Sequence, residues 1–289
     1  MKITVAYHFD PSQHEVWSTP YGLACAFERA GHSVDRFGFE PTRCDLRPLH
    51  GSTSDLIFFC LAGPSASFDS EIKILKSVVN QPLFIESGDD LPHSLDHRNR
   101  VHHFDAIFTP DKRCNQIYLG LGLKSYWMPC WCDDMIFRNL RLTRQNRCVT
   151  TCGDRPFAKS LSSRFGDRFV NRRVMMYDNT EYFNSGTITY QFARWGEITR
   201  RLFEAGGCGN AILTNRIPED TGIYDLFEED VDIAYFDSEK ECLKKMERLL
   251  LDEVYRTTLA KNICNKISSR HLIGHRVDTI LNVFSSNQF

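Results

Sequence analysis

At 289 residues, with 42% hydrophobic and 25% charged residues and a net charge of −2, the chain has the composition of a soluble globular protein long enough for two domains. No apolar run approaches the ~20 residues of a membrane-spanning helix, and the opening Met-Lys-Ile-Thr-Val-Ala-Tyr reads as a strand, not as a secretory leader. Eleven cysteines, an odd number in mostly apolar settings, predict reduced thiols in a cytoplasmic compartment; the tight pair Cys130 and Cys132 has a poor spacing for zinc.

The first half alternates short apolar runs with helical patterns. Residues 2–7 predict a strand, followed by a polar loop from His8 to Ser18 that carries Asp10, His14 and Trp17. A helix then opens with Thr19 as N-cap and Pro20 at N1 and stops at Gly31, with Leu23, Ala24, Phe27 and Ala30 on one face. Strands follow at 33–37, 56–61, 83–86, 106–109 and 125–128, with a helix at 70–79. Such alternation implies a parallel sheet covered on both faces.

Residues 138–147 break the rhythm and read as an interdomain linker between a first domain, 1–137, and a second, 148–289. They also open a basic block. From Arg138 to Arg173 there are ten basic and two acidic residues, a net +8 that leaves −10 for the rest of the chain. That asymmetry predicts either an anionic partner, nucleic acid included, or a solvated face whose arginines pair elsewhere. Beyond the block, strands are expected at 148–151, 174–177, 187–191, 211–214 and 233–235, and a helix at 197–207. The end is helical. Ser238 and Glu241 form a capping box, with Cys242, Met246, Leu249 and Leu250 as the apolar face. Tyr255, Leu259 and Ile263 mark a second helix, and Val277, Ile280, Leu281 and Phe284 a third.

Several segments from Asn184 onward carry a resemblance: Asn184-Ser-Gly-Thr-Ile-Thr-Tyr190, Arg201-Leu-Phe-Glu-Ala-Gly-Gly-Cys-Gly209, Ala211-Ile-Leu-Thr214, Asp225-Leu-Phe-Glu-Glu229, and His271, His275 and Arg276. Together they resemble the C-terminal domain of GT-B glycosyltransferases, in the branch that resembles the spore-maturation protein CgeB. Ala30-Gly-His-Ser-Val34, Glu86-Ser-Gly-Asp-Asp-Leu-Pro92 and Phe104-Asp-Ala-Ile-Phe-Thr-Pro110 add weaker echoes. The resemblance implies an α/β fold of two Rossmann-like domains facing across a cleft, with a helical C-terminal tail. It implies a hexosyl or pentosyl transferase using a nucleotide-diphosphate sugar, a UDP-sugar first, with no metal or other cofactor required. A catalytically inactive sugar-nucleotide binder and a nucleotide-sugar epimerase of the same fold are the alternatives.

The resemblance also assigns residues. Glu204 would hold the ribose hydroxyls; read locally, it pairs with Arg200 one helical turn away. Gly196, Glu197 and Arg201 belong to the donor segment, and the helix N-terminus there would face the diphosphate. Gly153, Arg155 and Lys159 follow the first strand of the second domain, where relatives neutralise the leaving diphosphate, although the Arg-to-Lys gap is shorter here. Many retaining relatives have two glutamates seven residues apart. Here that partner position is Gly196, with Glu197 one place off, so retention or inversion stays open. The acceptor side is expected at N-terminal strand ends, from His8, His14, Trp17 and Asp89, with Asp90 and His93 as candidate bases. Asp89 and Asp90 are equally suited to capping a turn. The acceptor is a glycan, a small molecule, a protein or a modified nucleic-acid base, and His271 and His275 read as structural.

Overall fold

The computed structural model describes residues 1–8, 19–39, 44–62, 66–88, 100–151, 153–174 and 178–286. It divides into two compact units, Met1–Pro129 with Ile273–Phe289, and Cys130–Leu272.

The first unit holds six strands: β1 (Lys2–His8), β2 (Ser33–Phe39), β3 (Leu56–Ala62), β4 (Leu83–Gly88), β5 (Ala106–Thr109) and β6 (Ser125–Trp127). They form one parallel sheet in the order β2-β1-β3-β4-β5-β6. Helices α1 (Thr19–Arg29), α2 (Ala66–Val78) and α3 (Lys112–Gly120) connect them. Leu56, Ile57, Phe58 and Phe59 are all buried, because strands covered on both faces need apolar residues at consecutive positions, not alternate ones. A phenylalanine cluster (Phe39, Phe59, Phe68 and Phe104, ring centroids 5.5–6.5 Å apart) fills one face. Each such burial stabilises by roughly 1.5–3 kcal/mol relative to exposure.

The second unit holds β7 (Gln145–Thr150), β8 (Phe169–Asn171), β9 (Gly186–Gln191), β10 (Ala211–Asn215) and β11 (Ala234–Phe236). They are again all parallel, in the order β11-β10-β9-β7-β8. Its helices are α4 (Ala158–Phe165), α5 (Asp178–Asn184), α6 (Arg200–Gly207), the single turn α7 (Ile223–Leu226), α8 (Glu239–Leu251) and α9 (Glu253–Arg270).

The unit boundaries differ from the expected 1–137, 138–147 and 148–289. Residues 145–147 are already strand, and the last helix, α10 (Ile273–Ser286), groups with the first unit. There the buried Val277, Ile280 and Val283 form its apolar stripe, Phe284 meets Phe84 edge-on at 6.3 Å, and Arg276 donates from Nε to the Pro129 carbonyl at 2.7 Å. The stripe includes Val283, where the sequence pattern pointed to Leu281 and Phe284.

Two further expectations need correction. A strand was expected over 174–177, but the strand pairing with β7 is Phe169–Asn171, with residue 174 outside any strand and 175–177 outside the described residues. The 197–207 helix starts three residues later, at Arg200, with Thr199 as its N-cap. The capping box at Ser238 forms with a shift. Ser238 Oγ accepts from the Glu241 N–H at 3.3 Å, while Glu241 Oε2 reaches back one residue further, to the Asp237 N–H at 2.9 Å. The face of α8 is buried as expected at Cys242, Met246, Leu249 and Leu250, and that of α9 at Tyr255, Leu259 and Ile263.

Candidate functional site

In an open parallel sheet a ligand crevice opens where successive connections leave in opposite directions, beyond the carboxyl ends of the strands. In the second unit that point lies between β7 and β9, which are neighbours although β8 separates them in sequence. The loops that leave these two strands, 151–157 and 192–199, carry Gly153, Arg155 and Gly196, and the helices that follow them carry Lys159, Arg201 and Glu204.

The loop after β7 is held by bonds between a side chain and the backbone. Gly153 sits at φ +60° and donates from its N–H to Asn171 Oδ1 at 3.2 Å, while Asn171 Nδ2 donates back to the Gly153 carbonyl at 2.7 Å. Phe157 also has positive φ, +64°, a conformation costly for a residue with a Cβ. It is stabilised by edge contacts with Phe192 and Phe236, and Tyr190 donates its hydroxyl to the neighbouring Pro156 carbonyl. The result is a fixed turn that delivers Arg155 and Lys159 to the start of α4. Neither makes a side-chain hydrogen bond or ion pair among the described residues; Arg155 is half-buried and Lys159 exposed.

The loop after β9 is a tight turn. Gly196 adopts φ +68° and donates to the Ala193 carbonyl at 3.4 Å; a Cβ there would meet Pro218 Cδ at 3.3 Å. Asn215, at the end of β10, accepts from the Ala193 N–H at 2.7 Å and ties the turn to the sheet. Glu197 has a local role, its Oε2 accepting from the Trp195 N–H at 2.6 Å. Trp195 itself is 54% exposed, with the Arg194 guanidinium 4.7 Å from its ring centroid.

Because α6 begins at Arg200, Gly196 and Glu197 precede its N-terminus and do not form it. Thr199 caps it in extended conformation without using its side chain, so Thr199 Oγ1 is buried and unpartnered. Gln191, the last residue of β9, is likewise buried with Nε2 unpartnered, its Oε1 accepting from Thr214. The Trp131 indole N–H and two Arg200 nitrogens have no hydrogen-bond partner either. Of these four, Arg200 was read from the sequence only as the partner of Glu204, and Thr199, Gln191 and Trp131 were not foreseen; Thr199, a β-branched N-cap ahead of a helical run, had a legible signal.

Glu204 faces inward and has the local partner foreseen for it. Its Oε1 lies 3.3 Å from Arg200 Nε, with 16% of the side chain exposed. Burial raises its carboxyl above the usual range, only partly offset by Arg200 and Arg201 and reinforced by Asp133. Arg201 is half-buried. The glycines after Glu204 serve packing and lie at the far end of the helix. A Cβ on Gly206 would meet Ile267 Cδ1 at 2.6 Å, and one on Gly207 would meet Cys132 Sγ.

The basic block splits. Arg144 donates to the carbonyls of Gly209 (3.1 Å) and Cys208 and to the side-chain oxygens of Asn210 and Asn184 (2.7 Å each). Arg147 reaches Ser185 Oγ, Arg168 the Leu250 carbonyl, and Arg164 both oxygens of Glu247. These four are tied within the unit. Arg138, Arg141, Arg172 and Arg173 are exposed and make no side-chain hydrogen bond or ion pair among the described residues. Arg216, just after β10, is bound by Glu229 and Asp237.

In the first unit the corresponding switch point lies between β1 and β3. His8 ends β1, opposite Phe39 in the register, its side chain outside the described residues. His14, Trp17, Asp89, Asp90 and His93 lie outside the described residues altogether. His271 is buried and packs against Phe203 and Phe227, ring centroids 5.6 and 5.9 Å away. Among the described residues no group of three or more His, Cys, Asp or Glu side chains could hold a metal, and no helix is long and apolar enough to cross a membrane.

Comparison with known proteins now bears on these loops. Residues 139–282, which contain both, match a protein family described as glycosyl transferase-like. Over 99% of its length the chain also superposes on solved structures. HepE from Anabaena, in complex with UDP and glucose, is 14% identical with a TM-score of 0.70, covering 99% of this chain and all of HepE. Sucrose-phosphate synthase from Thermosynechococcus elongatus has a TM-score of 0.70 at 11% identity, with coverage of 99% and 100%. An α-glucosyltransferase in complex with UDP and a 13-mer DNA containing a HMU base has a TM-score of 0.68 at 10% identity, covering 99% of each chain. No curated protein sequence matches the chain. The shared fold is therefore two parallel-sheet α/β domains of the GT-B type with a helical C-terminal segment. A branch within it is not distinguished.

Proposed function

We propose that this protein transfers a sugar from a UDP-sugar to a hydroxyl acceptor, with the donor on the Cys130–Leu272 unit. What supports this reading is topology: β7 and β9 are neighbours at the switch point, the chain leaving β7 carries Arg155 and Lys159, and the chain leaving β9 leads into α6, whose cap hydroxyl is unused, with Glu204 one turn in. A helix N-terminus with fixed guanidinium and ammonium groups stabilises the negative charge that grows on a departing diphosphate, so this site supplies that charge without calling on a metal ion. Gly153 and Gly196 keep the two loops narrow enough for backbone N–H groups to approach. Glu204 would exchange Arg200 for the ribose diol, accepting two charge-assisted hydrogen bonds. That HepE and the DNA-bound glucosyltransferase hold UDP supports the choice of uridine.

The acceptor groups are assigned to the first unit, to His8, His14, Trp17 and Asp89, with Asp90 or His93 taking the acceptor proton. Glu197, turned onto its own loop, is assigned to shaping the turn. An acceptor on nucleic acid rests on Arg138, Arg141, Arg172 and Arg173, since Arg144, Arg147, Arg164 and Arg168 are tied internally and Arg155 is assigned to the donor. It predicts binding that weakens steeply with salt, whereas a neutral glycan gives a flat salt response.

Glu204→Gln tests the donor site with two readouts. Because the native carboxyl is raised by burial, its contribution to stability is greatest below the ordinary carboxylate range and is lost as pH rises through the raised value. The variant should therefore melt no lower than wild type at pH 7, while UDP-sugar affinity falls by roughly 10- to 100-fold, the worth of one or two hydrogen bonds to a charged group. UDP-sugar binding to wild type should weaken as pH falls through the raised range in which Glu204 takes up its proton. Unchanged affinity in the variant would remove Glu204 from the site; no thermal shift of wild type with any UDP-sugar would remove the reading itself.

A further inference from the structure

At the opposite end of the same sheet lies a pocket that the proposed reaction does not use. It has a volume of about 470 Å³, within the ~300–1,000 Å³ typical of small-molecule sites. Its walls come from the segment before β7 (Asn139, Arg144), the start of β9 (Thr187), the turn after α6 (Gly209) and the first turns of α9 (Glu253, Arg256). Thr187 and Gln191 stand at opposite ends of β9, four residues or ~13 Å apart at about 3.3 Å per residue, so this pocket and the donor loops do not overlap.

Two of its polar side chains, Arg256 and Thr187, are under-used. Arg256 is only 6% exposed; one nitrogen donates to the Leu249 carbonyl at 2.8 Å, and its buried Nε has no partner. Thr187 Oγ1 is buried and unpartnered as well. Arg144 adds a second guanidinium, bonded to carbonyl and amide oxygens only. Neither arginine has a carboxylate partner among the described residues, and the one acid in the wall, Glu253, is exposed. Two part-hydrated positive charges with neutral acceptors are costly to bury, and a buried donor without a partner costs about 1–3 kcal/mol. An anion with several oxygens would offset both costs at once. Guanidinium groups match phosphate geometry in particular.

We infer that this pocket is a second ligand site, separate from the sugar-nucleotide site, that binds a phosphate group, either the free ion or the phosphate of a small monoester. The anion lies against Arg256 and Arg144 and accepts from Thr187 Oγ1. Asn139 and the carboxylate of Glu253 are placed to meet the hydroxyls of an attached polyol. Occupancy would brace the start of β7 against α9, a scaffold that also carries the loops at the strands' other ends.

Phosphate binding in this pocket does not depend on sugar transfer at the donor loops and is measured separately from it. Inorganic phosphate is titrated calorimetrically into the full chain with UDP in saturating excess, so that phosphate cannot register at the donor loops. Wild type should bind, Thr187→Val should weaken binding at least fivefold, Arg256→Gln should abolish it, and Glu253→Gln should tighten it severalfold by removing the only negative wall. Arg256 also caps the end of α8, so if Arg256→Gln fails to fold, the opposite signs of the Thr187 and Glu253 variants carry the test. Glucose 6-phosphate in a parallel titration distinguishes the source: tighter binding than phosphate assigns a monoester, equal binding the free ion. Phosphate affinity indifferent to all three substitutions, or absent in wild type, overturns the site. If UDP itself fails to bind, the donor reading falls while the pattern across the variants still decides this one.

Discussion

Arg144 and Arg155 belong to one run of basic residues and have the same chemistry, yet the fold uses them in opposite ways. Arg144 is tethered to four oxygen acceptors that close the C-terminal end of α6 and the start of β10. Burial lowers its pKa from the ordinary arginine value without a carboxylate to counter the effect. Arg155 lies beyond the carboxyl end of β7, on a turn fixed by Asn171 and Tyr190, with no side-chain hydrogen bond or ion pair among the described residues. The difference follows from where each falls along its strand. Before β7 the chain must satisfy the exposed carbonyls that end α6, and an arginine with five donors does that well. After β7 there are no helix carbonyls to satisfy, so a cation stays available to a ligand. Charge counted along a sequence therefore says little about binding until strand polarity is known.

Removing each arginine should separate the two uses. Arg144→Ala is expected to cost about 3 kcal/mol in urea unfolding, since it strips several acceptors of their donor in a part-buried site. A loss below about 1 kcal/mol would mean that the segment holds itself together and that Arg144 belongs with the unpaired group. Arg155→Ala should leave the melting curve in place and weaken UDP binding about tenfold, roughly 1.4 kcal/mol. Lys159→Ala should do the same more weakly, because an exposed ammonium is better hydrated and its field more screened. If Arg155→Ala destabilises the chain without changing UDP binding, the comparison reverses.

Much of this was legible in the sequence, for reasons that the structure makes plain. Runs such as Leu56–Phe59 and Ala211–Leu213 are apolar at every position, which only strands buried on both faces tolerate, so parallel sheets could be read directly. Glu204 with its Arg200 partner was visible because the spacing within a helix is fixed. The true start of α6 was not, because Gly196 and Glu197 form a turn whose logic depends on Pro218 and Asn215, far along the chain. Nor could the Gly206-Gly207 pair be told from a phosphate loop, since the residues it makes room for, Ile267 and Cys132, come from distant segments. The last helix grouped with the wrong end of the chain for the same reason: Phe284 finds Phe84, and no local pattern announces that.

The smallest expected effect is the most useful control on the split within the basic block. Arg164 counts among the tied arginines because both oxygens of Glu247 lie 3.1 Å from it, but the two side chains are 48% and 45% exposed. A pair that open to water gains little from its Coulomb attraction and gives up side-chain freedom to form, so Arg164→Ala should change stability by no more than about 0.5 kcal/mol. The residual effect should shrink further in 1 M salt, where the Debye length falls to about 3 Å. Arg144→Ala, by contrast, should cost nearly the same at low and high salt, because its hydrogen bonds are shielded from solvent. Measured together, the two variants show whether being paired or being buried makes an arginine structural; equal costs for both would mean that pairing alone suffices and that the burial of Arg144 adds nothing.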